Sequence, residues 1–357
     1  MSDIQVKHAD SSRIDSTDWN NLSFGKYFSD HMFISKYENG SWDKGVILPY
    51  GPLAIEPGMC TLHYGQTIFE GLKAFRDIKG GANLFRPEMN AKRLNNSADR
   101  LCIPPYDVDK QVEAMIELVT IDKQWIPEKR GTSLYLRPVA FGSGNFLGVH
   151  VSDTYNYIIM SSPVASYYAE GLNPVRILVT DEFVRAVRGG LGSAKTAGNY
   201  AASLKAGTKA KELGFSQVLW LDGVSQEVVD EVGAMNIMFV INDELITPPL
   251  SQGSILAGVT RDTVLTLAKD WGIKVSERPI RIDELFDAHE SGKLQEVFGT
   301  GTAAVISPVG LLEFKGKQMT INDNKIGPLA QKLYDYITGI QYGEIEDKYG
   351  WNVHICL

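Results

Sequence analysis

Gly189-Gly190-Leu191-Gly192-Ser193-Ala194-Lys195-Thr196-Ala197-Gly198-Asn199-Tyr200 is the stretch on which the reading of this chain turns. It reads as a loop of small residues that leads into a helix running to about Leu213. Lys195 stands among glycine, alanine and serine, and no amphipathic stripe accounts for it. A Schiff-base lysine needs room for a cofactor and a desolvated setting that lowers its pKa. A solvated loop lysine fits the same residues, so the segment alone does not separate the two.

The same residues invite a phosphate-binding reading. Positions 189 to 196 approach the pattern G-x-x-x-x-G-K-[ST], with Ala194 in place of the second glycine. A P-loop begins directly where a strand ends. Here Asp181 to Arg188, with two arginines, intervenes after the strand-like Val175 to Thr180. The substituted glycine and the displaced strand make this the weaker reading.

Working outward, Ser133 to Gly142 and Tyr155 to Pro163 are rich in Tyr, Ile, Leu and Val and read as strands. Asn90 to Ile103 reads as a helix. So does Val108 to Trp125, where Val108, Val112, Met115 and Val119 recur at helical spacing and Pro127 closes the segment. Gln217 to Leu221 and Met235 to Val240 read as strands, with the Asn242-Asp243 turn making a hairpin into Leu245 to Thr247. A helix over about Thr260 to Trp271 follows Gly258, Glu296 to Val309 is a strand-like run interrupted by glycines, and a last helix covers about Gly327 to Ile340. Strands and helices alternate irregularly, which argues for α+β. The division expected is a small N-terminal domain over residues 1–168, a link over 169–174 within the turn-rich Ala165 to Pro174, and a larger domain over 175–357.

Bulk properties exclude several classes. The 357 residues are 44% hydrophobic and 22% charged, ordinary for a globular protein, with a formal net charge of −8. That charge argues against general attraction to nucleic acid or an anionic membrane. Cys60, Cys102 and Cys356 are scattered and form no C-x-x-C pair, so neither a zinc module nor a disulfide framework is expected. The polar N-terminus carries no apolar targeting core, and cytoplasm is the expected location.

A series of motifs decides between the readings of Lys195. In order they are Phe24-Gly25 with Asp30-His31-Met32, Leu62-His63-Tyr64-Gly65, Phe69-Glu70-Gly71-Leu72-Lys73-Ala74-Phe75, Phe85-Arg86-Pro87 with Asn90 and Arg93, and Ser97-Ala98 with Arg100-Leu101-Cys102. The second half adds Gly198-Asn199-Tyr200, Gln217-Val218-Leu219-Trp220-Leu221, Glu231-Val232-Gly233 with Met235-Asn236, Gly258-Val259-Thr260-Arg261, Gly299-Thr300-Gly301-Thr302-Ala303 and Ile340-Gln341-Tyr342-Gly343. From Phe24 to Tyr342 the chain resembles the branched-chain aminotransferases of the pyridoxal-phosphate fold type IV group.

The resemblance implies a two-domain α+β fold, pyridoxal 5'-phosphate, and transfer of an amino group between L-leucine, L-isoleucine or L-valine and 2-oxoglutarate. It implies Lys195 as the Schiff-base residue and the acid and base of proton transfer. Glu231 would face the pyridine nitrogen, although as a sequence it is not distinguished from neighbouring Asp230 in the charged run Glu227 to Glu231. Tyr200 would meet the phenolic oxygen, and Arg93 the phosphate, a task for a planar fork of donors. Val259 and Thr260 would add backbone N–H groups from a helix N-terminus, and Thr302 a donor from a glycine-rich turn.

Phe24, Tyr64, Phe69, Tyr135, Tyr167 and Ala303 would line the substrate pocket, with Arg137 for the side-chain carboxylate of glutamate. Leu147 and Val149, in Gly144 to Val149, would close the pocket of a neighbouring subunit, which implies a homodimer. Two departures stand out. Ala303-Ala304-Val305-Ile306 stands where some relatives carry a C-x-x-C pair, which excludes thiol regulation by that route, and Ala234 replaces a threonine common in the family. Other fold type IV chemistries, a D-amino-acid aminotransferase or an aminodeoxychorismate lyase, would lack much of the N-terminal motif series.

Overall fold

The computed structural model of the chain describes residues 4–165 and 172–357. It divides into two compact units: Met1–Tyr167 with Ala194–Ala197 and Gly339–Leu357, and Tyr168–Ser193 with Gly198–Thr338. The chain therefore returns to the first unit twice, once at the segment that carries Lys195.

The first unit is built on a mixed, mostly antiparallel sheet. Its strands run in the order Gln5–Val6, Val46–Pro49, His31–Glu38, Tyr155–Val164, Ser133–Gly142, Leu72–Arg76, Ala82–Phe85 and Asn352–Ile355, with Ser41–Trp42 on His31–Glu38 and Thr67–Phe69 on Ser133–Gly142. Successive side chains of a strand point to opposite faces. One face is apolar: Ile68, Leu72, Ala74, Leu134, Leu136, Ala140, Tyr157 and Ile159 pack with Leu94, Ala98, Met115, Leu118 and Val119 of two helices. Burying a side chain of that size stabilises the fold by about 1.5–3 kcal/mol, so this packing fixes which face the alternate residues occupy. Phe69, Lys73, Tyr135 and Arg137 are those alternates, and they share the opposite face.

The helices are Pro87–Arg100 and Val108–Ile121. The first starts three residues before the expected Asn90. Pro87 occupies the first turn, where no N–H is needed, and the left-handed φ of 54° at Cys102 stops the helix short of Ile103. Asp107 caps the second, accepting from the Lys110 N–H at 3.0 Å, and a short 3-10 turn, Lys123–Trp125, finishes it.

In the second unit the sheet order is Val229–Val232, Gln217–Leu221, Val175–Thr180, Val305–Phe314, Leu294–Gly301, Met235–Ile241, Glu244–Thr247 and Lys274–Glu277. Val229–Val232 also pairs with Met235–Ile241, so the first six of these strands form a closed ring. Ile177, Leu219, Val232, Ile237, Phe239, Val297, Val309 and Leu312 belong to one apolar core with Ile282 and Leu285 of the helix Ile282–Glu290. Parallel and antiparallel pairs coexist here, unlike the mostly parallel sheet of a regularly alternating α/β fold.

The run Glu296 to Val309 is not one interrupted strand. It is a hairpin of Leu294–Gly301 and Val305–Phe314, with Gly301 opposite Val305. Thr302-Ala303-Ala304 makes the turn, and Val305 takes a φ of 62°, unusual for a β-branched residue. The helices Ala197–Glu212, Val259–Asp270 and Pro328–Gln341 stand where the sequence suggests. Among the described residues no helix is long and apolar enough to cross a membrane.

Candidate active site

Lys195 is stitched into the first unit by backbone bonds. Its C=O accepts from the Phe69 N–H at 3.0 Å and its N–H donates to Ser97 Oγ at 2.9 Å, while Thr196 forms an antiparallel bridge with Ile68 and its hydroxyl donates to the Thr67 carbonyl at 2.8 Å. Residues 195 and 196 are thus extended, and the following helix starts only at Ala197. A P-loop lysine opens a helix that cradles phosphate with its own N–H groups; the extended pairing here overturns that reading.

The Lys195 ammonium lies over the Phe69 ring, 4.9 Å from its centroid. Desolvation, with Arg93 and Arg137 adding repulsion, pulls its pKa from 10.5 to about 8, although Glu70 and Tyr135 oppose the shift. Arg93 is buried on the inner side of its helix, not solvated. Its Nε donates to Glu70 Oε1 at 2.7 Å and its Nη2 to Oε2 at 2.8 Å. Glu70 is 0% exposed and also accepts from Asn90 Nδ2 at 2.8 Å and the Gly71 N–H at 3.2 Å. Burial pushes its carboxyl up, but Arg93 and these donors more than offset that, and its pKa lies below the usual value.

Arg137 and Tyr135 project from one strand onto the same face. Arg137 Nη2 donates to the Tyr135 hydroxyl at 3.0 Å, and its guanidinium lies 4.7 Å from the Phe69 centroid. Phe24 meets Tyr135 edge to face at 4.8 Å. Lys195, Phe69, Tyr135, Arg137 and Phe24 are therefore one cluster. Tyr64 ends the short helix Cys60–Tyr64, and its hydroxyl donates to the Leu147 carbonyl at 2.6 Å. Leu147 and Val149 are 72% and 86% exposed. Tyr167 lies outside the described residues.

In the second unit Glu231 is buried, whereas Glu227 at the start of the same charged run is exposed. Its Oε1 accepts from the Leu256 N–H at 2.8 Å, and Arg185 Nε stands 3.3 Å from Oε2. Asp230 is buried as well, but it lies one residue earlier, on the opposite face of the strand, and burial raises its pKa to about 6. Glu231 sits opposite Asn236, and Asn236 opposite Thr300, so the three form a row across adjacent strands.

That row leads to the helix Val259–Asp270, whose cap residue Gly258 packs so closely that a Cβ would come within 2.0 Å of Asn236 Oδ1. Val259 and Thr260 occupy its first turn, Thr302 and Ala303 the turn after Gly301, and the Thr300 hydroxyl is buried with no hydrogen-bond partner among the described residues. Tyr200 is half-buried on the helix Ala197–Glu212. Glu70, Arg185 and Asn236 are the members that sequence reasoning passed over. A carboxylate at Glu70, in a run from Ile68 to Phe75 that is otherwise broken by charge at Lys73 alone, was the available signal.

The model of amino-transferase class IV matches residues 67–312. The branched-chain-amino-acid aminotransferase 2 of Bacillus subtilis is 54% identical over 340 residues, 95% of this chain and 93% of that protein. The chain belongs to the branched-chain-amino-acid aminotransferases of class IV. Among solved structures, the Escherichia coli branched-chain amino acid aminotransferase superposes with a TM-score of 0.74 at 28% identity, covering 90% of this chain and 98% of that one. A T.th. branched-chain amino acid aminotransferase complexed with N-(5'-phosphopyridoxyl)-L-glutamate gives 0.71 at 27% identity, again over 90% and 98%.

This aminotransferase uses pyridoxal 5'-phosphate, and its residues suit that group. The first unit offers a lysine with a depressed pKa; the second offers a buried carboxylate, a buried hydroxyl without a partner among the described residues and a glycine-capped helix N-terminus, and each of these groups suits such a cofactor.

Proposed function

We propose that this aminotransferase exchanges an amino group between L-leucine, L-isoleucine or L-valine and 2-oxoglutarate by a ping-pong route, giving branched-chain 2-oxo acids and L-glutamate. One observation carries the reading. The Lys195 amine and the Arg137 guanidinium lie 4.9 Å and 4.7 Å from the centroid of one ring, Phe69. Aromatic walls take an aliphatic side chain, and a guanidinium beside them takes a second carboxylate. A single methylene is worth only about 1–3 kcal/mol, so all three branched substrates enter.

Bound pyridoxal phosphate supplies the electron sink for the reaction. Lys195 would hold it and would take the proton from the substrate's α-carbon for delivery to the cofactor; a pKa of about 8 lets the amine take and return a proton near neutral pH. Glu231 would keep the ring nitrogen protonated, Tyr200 would meet the phenolic oxygen, and Arg93, Val259, Thr260 and Thr302 would take the phosphate. Phe24, Tyr64, Phe69, Tyr135 and Ala303 line the substrate side. We further propose a cytoplasmic homodimer in which Leu147 and Val149 of each subunit cover the other's pocket, a reading their exposure supports.

The purified protein is expected to be yellow, and borohydride reduction with peptide mapping should label Lys195. Lys195→Ala should lose both that label and transamination; full turnover by the variant rejects the assignment. Turnover of D-leucine in preference to L-leucine would favour a D-amino-acid aminotransferase instead.

A further inference from the structure

The strand Leu72–Arg76 sends alternate side chains to opposite faces of the first sheet. Leu72 and Ala74 join the apolar core beneath the helices, and Arg76 continues their row, opposite Ala82 of the same core. Phe69, Tyr135 and Arg137 stand on the other face. The core face of this strand therefore ends on a charge. Arg76 Nη2 donates to the Lys123 and Ile126 carbonyls, each at 3.1 Å, which turns the guanidinium toward the segment that follows the second helix. Its Nε is buried without a hydrogen-bond partner, and Arg76 makes no ion pair among the described residues.

Arg76 lines an open cleft of about 740 Å³, within the roughly 300–1,000 Å³ of small-molecule sites. Buried Leu22 and Ile126, with the exposed ring of Trp19, make its apolar wall. Lys123 and Lys129 stand at the rim, both exposed, and Glu128 is the one acidic side chain among the described lining residues. Cations thus outnumber acids here, opposite in sign to the net −8 of the chain. Leu357 lines the cleft as well, and no ion pair joins its backbone carboxylate to Arg76.

We propose that this cleft binds a small organic carboxylate with an apolar body, at a site separate from the one that carries Lys195. Arg76 takes the carboxylate. A guanidinium keeps its charge and carries more N–H donors than the two carbonyl bonds engage. The apolar wall takes the body: Leu22 and Ile126 offer surface that gains by losing water, and Trp19 offers a ring for it to lie against. Lys123 and Lys129, solvated at the rim, draw an anion in without cradling it. A phosphate would need a second fixed donor at its head, whereas one carboxylate is served by one guanidinium. The sheet stands between this cleft and the face of Phe69, Tyr135 and Arg137, so an occupant leaves the substrate face open.

The test titrates 2-naphthoate and its uncharged counterpart 2-naphthamide into the pyridoxal-phosphate-loaded parent and into Arg76→Met, Lys129→Glu and Arg137→Met, with affinity read by calorimetry. The parent should bind the acid about tenfold or more tighter than the amide, the advantage that one charge-assisted guanidinium contact gives. Arg76→Met should lose that preference, and Arg137→Met, altered on the substrate face, should keep it. Lys129→Glu changes an exposed side chain and should weaken the acid about threefold while leaving the amide unchanged; this variant carries the test if Arg76→Met does not fold. A parent that binds acid and amide alike, an Arg76→Met protein that keeps the preference, an Arg137→Met protein that loses it, or an unchanged ratio in Lys129→Glu overturns the proposal. Displacement of the acid by an equal concentration of inorganic phosphate would mark a phosphate site and overturns it too.

Discussion

Replacing Glu70 with Gln isolates the charge that Lys195 and Arg93 share. The carboxylate accepts two Arg93 donors at 2.7 and 2.8 Å and is 0% exposed. Removing one member of a buried ion pair costs about 3–5 kcal/mol. The amide oxygen of Gln still accepts one bond, so the loss should fall near the lower end, about 3 kcal/mol, or a fall in Tm of about 6 °C at the roughly 2 °C per kcal/mol of a large domain. The same change acts on Lys195. Glu70 holds the ammonium form in place, so its loss should lower the lysine pKa further below about 8 and raise the neutral fraction at pH 7. Capture of pyridoxal phosphate by the cofactor-free variant, followed by stopped-flow absorbance from pH 6 to 9, should level off at lower pH than in the parent. A midpoint that stays put or moves up, or a stability within 1 kcal/mol of the parent, refutes the coupling.

Other outcomes follow from the same geometry. Glu231→Gln should slow transamination strongly while the protein stays yellow, and an unchanged rate would remove Glu231 from the site. Arg137→Ala should raise KM for glutamate more than KM for leucine; equal rises would refute its place at the second carboxylate. Asp230 has its pKa raised by burial from 3.8 to about 6, so the folded state holds a proton that the unfolded chain has lost. Its contribution is full below about pH 4 and disappears as pH rises through about 6. Asp230→Asn should remove that slope from denaturant-unfolding data collected between pH 4 and 7, and a slope that persists would assign it to another group.

The elements read from the sequence were those fixed by local pattern. Ser133–Gly142, Val175–Thr180 and Gln217–Leu221 have the expected bounds, because β-branched and aromatic runs between turn residues specify a strand by themselves. The hairpin inside Glu296 to Val309 was missed because its turn depends on Val305 at a φ of 62°, a conformation no propensity would assign to valine. The site escaped for a different reason. Arg93 on a helix with Lys92 and Arg100 looks solvated until Glu70, 23 residues away, is placed against it. Glu231 gains its distinction from Asp230 only through Arg185 and the Leu256 N–H. Such pairings are decided by tertiary placement, which carries no period in the sequence.

The first sheet ends on the strand Asn352–Ile355, which lies against Ala82–Phe85. His354 and Asn83, joined by a hydrogen bond, are 271 positions apart. At about 5–20 residues per second of synthesis, the ribosome needs roughly 15–55 s to deliver the later strand after the earlier one. Throughout that interval the edge of Ala82–Phe85 offers unpaired backbone groups to any passing β-segment. Newly made copies of this enzyme should therefore depend on a holding chaperone, and shortening the chain before Asn352 should shift the product from soluble protein to aggregate.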